Sequence, residues 1–545
     1  MRLSLLLVFL VTSLTVAQDF VLHNAAVYTV NTDQPTAEAF AVVDGKIAAI
    51  GTKENVLAEH PDLPRMDAEG QTVIPGLIDA HGHLMGLAQT KLSADLIGAT
   101  SKDEALERLK AFEAGLPDEA WLVGRGWDQN DWPEKTFPSR TDLDAQFPER
   151  PVYLTRVDGH AAWVNSAALR AGGIDASTPD PEGGAILKDQ AGAPTGVLVD
   201  RAMDPVEAQI PEFTDAQLDG ALQEAIAEAK SLGLTGMHDA GASLTDLARF
   251  QRAIDAGAFD LRVYAMIAGV GETLDYYCEN GPLMAYGDKL TVRSVKLYMD
   301  GALGSRGAAL HHDYSDDPGN RGLLMVEPDM MESAVTRSMN CGLQVNTHAI
   351  GDRGNTVVLD AYEASIDATG GGPGRHRVEH AQVVRLGDIA RFADLDLIAS
   401  MQPTHATSDM YWAEDRVGAD RILGAYAWRK FDEAGVRLAL GSDFPVERVN
   451  PMLGIYASVT RQDAEGWPEG GWYADQVLTR EEALRGFTLD AAYAAFQENT
   501  LGSLEVGKWA DFLILSDDVM TVDAEAILTI EPVATYLAGE AVYTR

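Results

Sequence analysis

Eight short β-rich runs punctuate the middle of this 545-residue chain, at 73–80, 151–158, 236–240, 292–299, 343–347, 375–378, 397–401 and 437–441. Stretches with apolar residues at helical spacing separate them, 215–232 (DAQLDGALQEAIAEAKSL) among them. A helix after a strand returns the chain to the end where that strand began, so the next strand joins in parallel. Eight such units predict an α/β architecture, a (β/α)8 TIM-like barrel.

The two ends read differently. Residues 20–51 alternate and turn like a meander, with a hairpin expected around Asp44-Gly45, and 504–544 is again strand-rich. Together they predict a small β-sandwich built from both chain termini, over 18–70 and 500–545, enclosing a barrel over 71–499. Insertions are expected in the barrel at about 84–150 and 171–200, the first holding the cluster GWDQNDW at 126–132. Long loops on a barrel's active face shape substrate access; a purely structural lid fits the same residues. Residues 1–17 (MRLSLLLVFLVTSLTVA) have a positive start at Arg2, an apolar stretch and small residues at Thr15-Val16-Ala17. That is the pattern of a secretory signal, with a retained anchor as the alternative, and it predicts an exported protein, periplasmic or extracellular. Acidic residues outnumber basic ones by 83 to 42, a formal charge of −41. Such a surface disfavours nucleic acid and anionic membrane surfaces. No other stretch approaches the length of a spanning helix, so no stable membrane insertion is expected once the signal is gone. Cys278 and Cys341 are too few for a thiolate metal site but enough for one bridge.

Polar residues gather just after the apolar runs, and barrel enzymes build their sites at the C-terminal ends of strands. His81 and His83 follow the first run, Asp158-Gly159-His160 ends the second, and His238-Asp239 lies at the third. Lys296 lies inside the fourth and Asp300 closes it; His348 ends the fifth, Glu379-His380 the sixth, while His405 follows the seventh and Asp443 the eighth. In the strand end His81-Gly82-His83 the two imidazoles fall on one face, which makes half of a zinc-type site. His348 and His380 add two more imidazoles, and Asp443 a carboxylate able to take a proton from water and return it to a leaving group. A helix N-cap is the alternative role for Asp443. A buried lysine is unfavourable unless paired or neutralised. Carboxylation by CO₂ would turn Lys296 into an anionic bridge between two metals, and an ordinary ammonium paired with Asp300 is the other reading.

The ordered set PGLIDAHGHL, GWDQNDW, DGHAAWVNSAAL, KLYMDGALGSRGAAL, THAIGDRG, VEHAQ and LGSDFPV spans most of 20–545. In it the chain resembles the amidohydrolase superfamily, specifically the amidohydrolase-3 group with its YtcJ-like and formamide-deformylase-like members. The resemblance implies a metal-dependent hydrolase that cleaves a non-peptide C–N bond, of amide or N-formyl type, in a small molecule. It implies two divalent metals, zinc expected, with His81 and His83 on the more buried one and His348 and His380 on the other. Carboxylated Lys296 and a hydroxide would bridge them, and Asp443 would bind the first metal and shuttle protons. Trp127, Asp128, His160, Arg306, Asp352, Arg353 and His405 are the candidates for substrate binding. His160 has a structural alternative, Arg306 and Arg353 have neighbouring acids to pair with, and His238 and Asp239 are expected to bind each other. A mononuclear deaminase or other hydrolase on the same fold is the rival, and a catalytically inactive binding protein the third reading. Oligomeric state stays open, a homodimer included.

Overall fold

The computed structural model describes residues 19–117, 120–129, 132–156, 161–181, 184–304 and 306–545. Two compact units emerge, one of residues up to His83 together with Ile226–Arg545, the other Leu84–Ala225.

The first unit contains a nearly closed, eight-stranded parallel barrel. Its strands are β1 (Leu77–Gly82), β2 (Leu234–Ala242), β3 (Arg262–Ala268), β4 (Leu290–Tyr298), β5 (Gln344–Ala349), β6 (Arg377–His380), β7 (Ile398–Met401) and β8 (Arg437–Leu440), neighbours in that order. β1 and β8 close the ring without a regular ladder. The Asp79 carboxylate accepts from Ser442 Oγ at 2.6 Å and from His81 N at 3.0 Å, and Asp443 N donates to His81 O at 2.7 Å. A Cβ on Gly441 would lie 2.5 Å from Asp79 Oδ1, so this approach requires glycine. Burial pushes the Asp79 carboxyl up to about 7 despite those donors.

Two of the expected strands need correction. The run 151–158 is not a barrel strand: Val152–Arg156 belongs to the six-stranded sheet of the second unit, paired with Leu122–Trp127 and Ala161–Val164. Its place in the barrel is taken by β3, RVYAMIA, whose side chains are buried almost throughout. The run 73–80 is two strands, Thr72–Pro75 and β1, divided at Gly76, where a Cβ would sit 2.1 Å from Thr235 Oγ1. Residues 84–150 and 171–200 both fall in the second unit, which connects β1 to β2. That unit has its own core, with Trp127, Trp132, Trp163 and Leu154 buried together.

The termini form one further sheet. Its order is Glu540–Thr544, Pro532–Leu537, Phe512–Leu515, Thr72–Pro75, Phe20–Tyr28, Thr36–Val43 and Lys46–Gly51, with Arg65–Asp67 beside Phe20–Tyr28. Phe20, Phe40, Phe512 and Tyr536 fill its core, the last two stacked with ring centroids 4.3 Å apart. Cys278 and Cys341 form a disulfide that joins helix Glu272–Asn280 to the end of helix Pro328–Asn340. Among the described residues no helix is long and apolar enough to cross a membrane. The expected signal, 1–17, lies outside the described residues.

Candidate metal centre

Strand alternation sends Asp79 and His81 to one side of β1, and His83, just past its end, continues that face. The fully buried His81 donates from Nδ1 to Glu379, and its Nε2 receives Lys296 Nζ at 2.9 Å. His83 donates from Nδ1 to Ala240 O at 2.8 Å, while its Nε2 lies 3.0 Å from Asp443 Oδ1. Both nitrogens of His83 therefore face acceptors, which only an imidazolium, or a cation between Nε2 and the carboxylate, satisfies. Burial pulls the His83 pKa down, but the hydrogen bond it donates to Asp443, with that carboxylate's charge, outweighs it and the pKa is raised. Burial also disfavours charge on Asp443, yet the bond from His83 and the fields of His81 and His405 bring it to about 2.

On β6, Arg377 and Glu379 share the inward face, and plain alternation would turn His380 outward. His380 and Ala381 instead take left-handed backbone, φ 73° and 42°, which returns the imidazole to the cluster. Its ring centroid lies 4.6 Å from that of His348, 4.8 Å from His81 and 5.9 Å from His405. Gln402 Oε1 accepts from its Nδ1 at 2.8 Å. Asp443 is left-handed as well, at φ 64°. Such backbone costs non-glycine residues roughly 1–2 kcal/mol and survives where the surroundings over-determine it. Burial, then Lys296, lowers His81 to about 4 and His348 to about 3; burial, then His348 and His81, holds His380 well below the ordinary imidazole value. Neutral imidazoles are the form that ligates metals.

Two groups of ligand atoms converge, His81, His83 and Asp443 in one and His380, His405 and Asp443 in the other, each within 4.8 Å. Among the described residues the buried Nε2 atoms of His348 and His405 have no hydrogen-bond partner; they lie 3.8 Å from Asp300 Oδ1 and 3.6 Å from Asp443 Oδ2. Orphaned imidazole nitrogens, each facing a carboxylate, fit a divalent cation. Lys296 is buried among them, its pKa lowered by burial to about 8. Among the described residues no carboxylate forms an ion pair with it. Asp300 does not serve as its partner; it accepts the backbone N–H groups of Ala309, Ile350 and Gly351 at 2.8–2.9 Å.

The other expected residues disperse. Of the substrate-binding candidates among the described residues, only His405 reaches this cluster. Trp127 is buried in the core of the second unit with its indole N–H on Leu154 O, and Asp128 pairs with Arg156 at 2.6 Å, so local packing claims both. Arg306 pairs with Asp316 at 2.8 Å, Asp352 accepts from His311 N at 2.9 Å, and Arg353 is exposed. His160 lies outside the described residues. His238 accepts from Arg377 Nη1 at 2.8 Å, the partner expected having been Asp239. Supporting residues not singled out from sequence are Arg377 and Gln402, and Glu379 was placed at a strand end but given no role. Arg377 donates to Ala80 O at 2.6 Å, Ser400 Oγ at 2.8 Å and Glu379 at 3.0 Å, tying three strands beneath the cluster. The signal for Glu379 was its place beside His380; its contact with His81 is across the barrel.

The amidohydrolase family model matches residues 65–543 of the chain. The chain belongs to the amidohydrolase family. This amidohydrolase is 34% identical over 535 residues to the protein YtcJ of Bacillus subtilis, covering 96% of this chain and 99% of that one. It is 29% identical over 553 residues to the N-substituted formamide deformylase of Arthrobacter pascens, covering 98% and 99%. Among solved structures it resembles a metal-dependent hydrolase of Pyrococcus horikoshii, with a TM-score of 0.77 and 27% identity, covering 93% of this chain and 99% of that one.

Proposed function

We propose that this amidohydrolase cleaves a non-peptide carbon–nitrogen bond in a small amide or N-formyl compound, using two divalent metals, zinc the expected pair. His81, His83 and Asp443 would hold one metal, His348 and His380 the other, and carboxylated Lys296 would bridge them. Lys296 carries this reading: a buried amine 2.9 Å from His81 Nε2, without a counter-carboxylate, amid ligand-type side chains. As a free ammonium it would repel the cations its neighbours fit. As a neutral amine it adds to CO₂: an N–C bond forms, a proton leaves nitrogen, and an anionic carbamate results. The formamide deformylase relative supports the N-formyl class.

When bound, the metals supply Lewis-acid polarisation and lower the pKa of water toward neutrality. The chain supplies the rest. Asp443, ionised near neutrality, accepts a proton from the attacking water and delivers it to the departing nitrogen. Glu379 fixes the tautomer of His81, so that Nε2 presents its lone pair. His405 Nε2 faces the carboxylate's other oxygen across 3.6 Å.

Elemental analysis of protein purified without added metal or chelator tests the centre, beside turnover of N-formyl and N-acyl amines. About two metals per chain are expected, with Lys296→Ala retaining at most one and little activity. Full metal content and activity in that variant would refute the bridged centre. We also propose export: a disulfide between Cys278 and Cys341 suits an oxidising compartment. N-terminal sequencing of the periplasmic or secreted protein should begin near residue 18, and an intact Met1 there would argue for a retained anchor.

A further inference from the structure

Tyr298 follows Lys296 by two on β4, so alternation places both on one face, with Tyr298 nearer the C-terminal mouth. Its ring packs on His348, centroids 5.6 Å apart, and Lys296 Nζ lies 5.1 Å from the ring centroid. The hydroxyl reaches toward β2, where a Cβ on Gly241 would lie 3.5 Å from it. Gly241 adjoins Ala240, whose carbonyl anchors His83. The side chain thus extends from His348 on one side of the cluster toward the His83 anchor on the other.

Its ring is fixed by contacts, the residue remains 38% exposed, and the hydroxyl hydrogen-bonds to no described residue. A phenol is protonated at neutral pH and can donate one hydrogen bond. We propose that Tyr298 is a catalytic residue whose hydroxyl donates to the oxygen on the substrate's reacting carbon, more strongly as that carbon becomes tetrahedral and the oxygen gains negative charge. No proton is transferred and no bond to Tyr298 forms. The inference rests on the hydrolytic reading above. It differs from a purely structural role, in which the ring shields Lys296 and the hydroxyl is idle.

Tyr298→Phe separates the two, because it keeps the ring and removes only the donor. Calorimetric binding of methylphosphonate, a tetrahedral anion, to the metal-loaded enzyme reads the donor without turnover. The expected result is a roughly tenfold or greater loss of methylphosphonate affinity at unchanged metal content and Tm. With a substrate of the N-formyl or N-acyl class, kcat falls about 10²–10³-fold while KM changes little. Unchanged methylphosphonate affinity overturns the proposal, as does a loss that merely follows lost metal. A wild-type enzyme idle against every N-formyl and N-acyl amine would remove the proposed function, and the phosphonate measurement would still decide Tyr298.

Discussion

The two sides of the histidine cluster are built to different degrees of completion. On the β1 and β8 side every donor has a protein anchor: His81 on Glu379, His83 on Ala240 O, and Asp443 through its backbone on His81 O. On the β5 to β7 side His380 has Gln402, but His348 and His405 each leave a buried Nε2 unpartnered among the described residues. The first side has its side-chain order set by folding. The second leaves polar atoms whose desolvation is offset only when a ligand arrives. Preorganised donors bind more tightly, since less ordering remains at the moment of binding. The β1 and β8 side should therefore be the tighter metal site.

Asp443 belongs to both groups, so its replacement is the harshest break of the comparison. Asp443→Asn is expected to lower kcat about 10³-fold by removing the proton carrier, and to weaken metal binding on both sides in a chelator titration. A variant with near wild-type kcat would show that another group carries the proton.

His376 sharpens the contrast from outside the cluster. It is a buried histidine that is fully satisfied, its Nδ1 accepting from Val345 N at 3.0 Å and its Nε2 donating to Gly371 O at 2.8 Å. Burial holds it neutral, at about 4 against the ordinary 6.5. Because the folded pKa is depressed, the unfolded chain binds the proton first, and stability falls as pH drops from about 6.5 to about 4. The loss is on the order of 3 kcal/mol. Urea denaturation of metal-free protein across that range should show it, and His376→Gln should lose that share of the pH dependence while the buried cluster histidines keep theirs.

The smallest expected effect separates the two sides directly. A graded chelator titration should remove metal in two phases, the weaker from the β5 to β7 side. Glu379→Gln should shift the tighter phase and Gln402→Leu the weaker, each by about 10–100-fold in affinity. If both phases move together in either variant, the two sides are one cooperative site.

Sequence disclosed the ligand-bearing strands well because two signals coincide there, an apolar run and a polar residue at its end. β3 was not legible for the same reason: it runs out at Ala268 and Gly269, and no ligand-type side chain marks it. Residues 151–158 carried both signals, apolar Val152 and Leu154 and then Asp158-Gly159-His160, yet the strand there pairs within the inserted unit. Strand pairing is a long-range choice that no local pattern encodes. Trp127 misled similarly, since its polar neighbours look like a pocket lining but one of them, Asp128, is taken up by Arg156. Glu379 and Arg377 sit beside His380 in sequence, but their work is done across the barrel, on His81, Ala80, His238 and Ser400. His380 itself was legible as a ligand type, though its approach depends on a backbone turn that sequence does not announce.

The strand Thr72–Pro75, one residue ahead of β1, finds its antiparallel partner in Phe512–Leu515, near the other end of the chain. During synthesis that partner emerges long after the strand it pairs with, so the sheet at the root of the first histidine-bearing strand stays unfinished until the chain has passed Leu515. A prematurely terminated product would contain every side chain of the metal cluster and still lack the support beneath His81 and His83. A strand outside the histidine cluster thereby ties the cluster's first histidine-bearing strand to a segment more than four hundred positions later in the sequence.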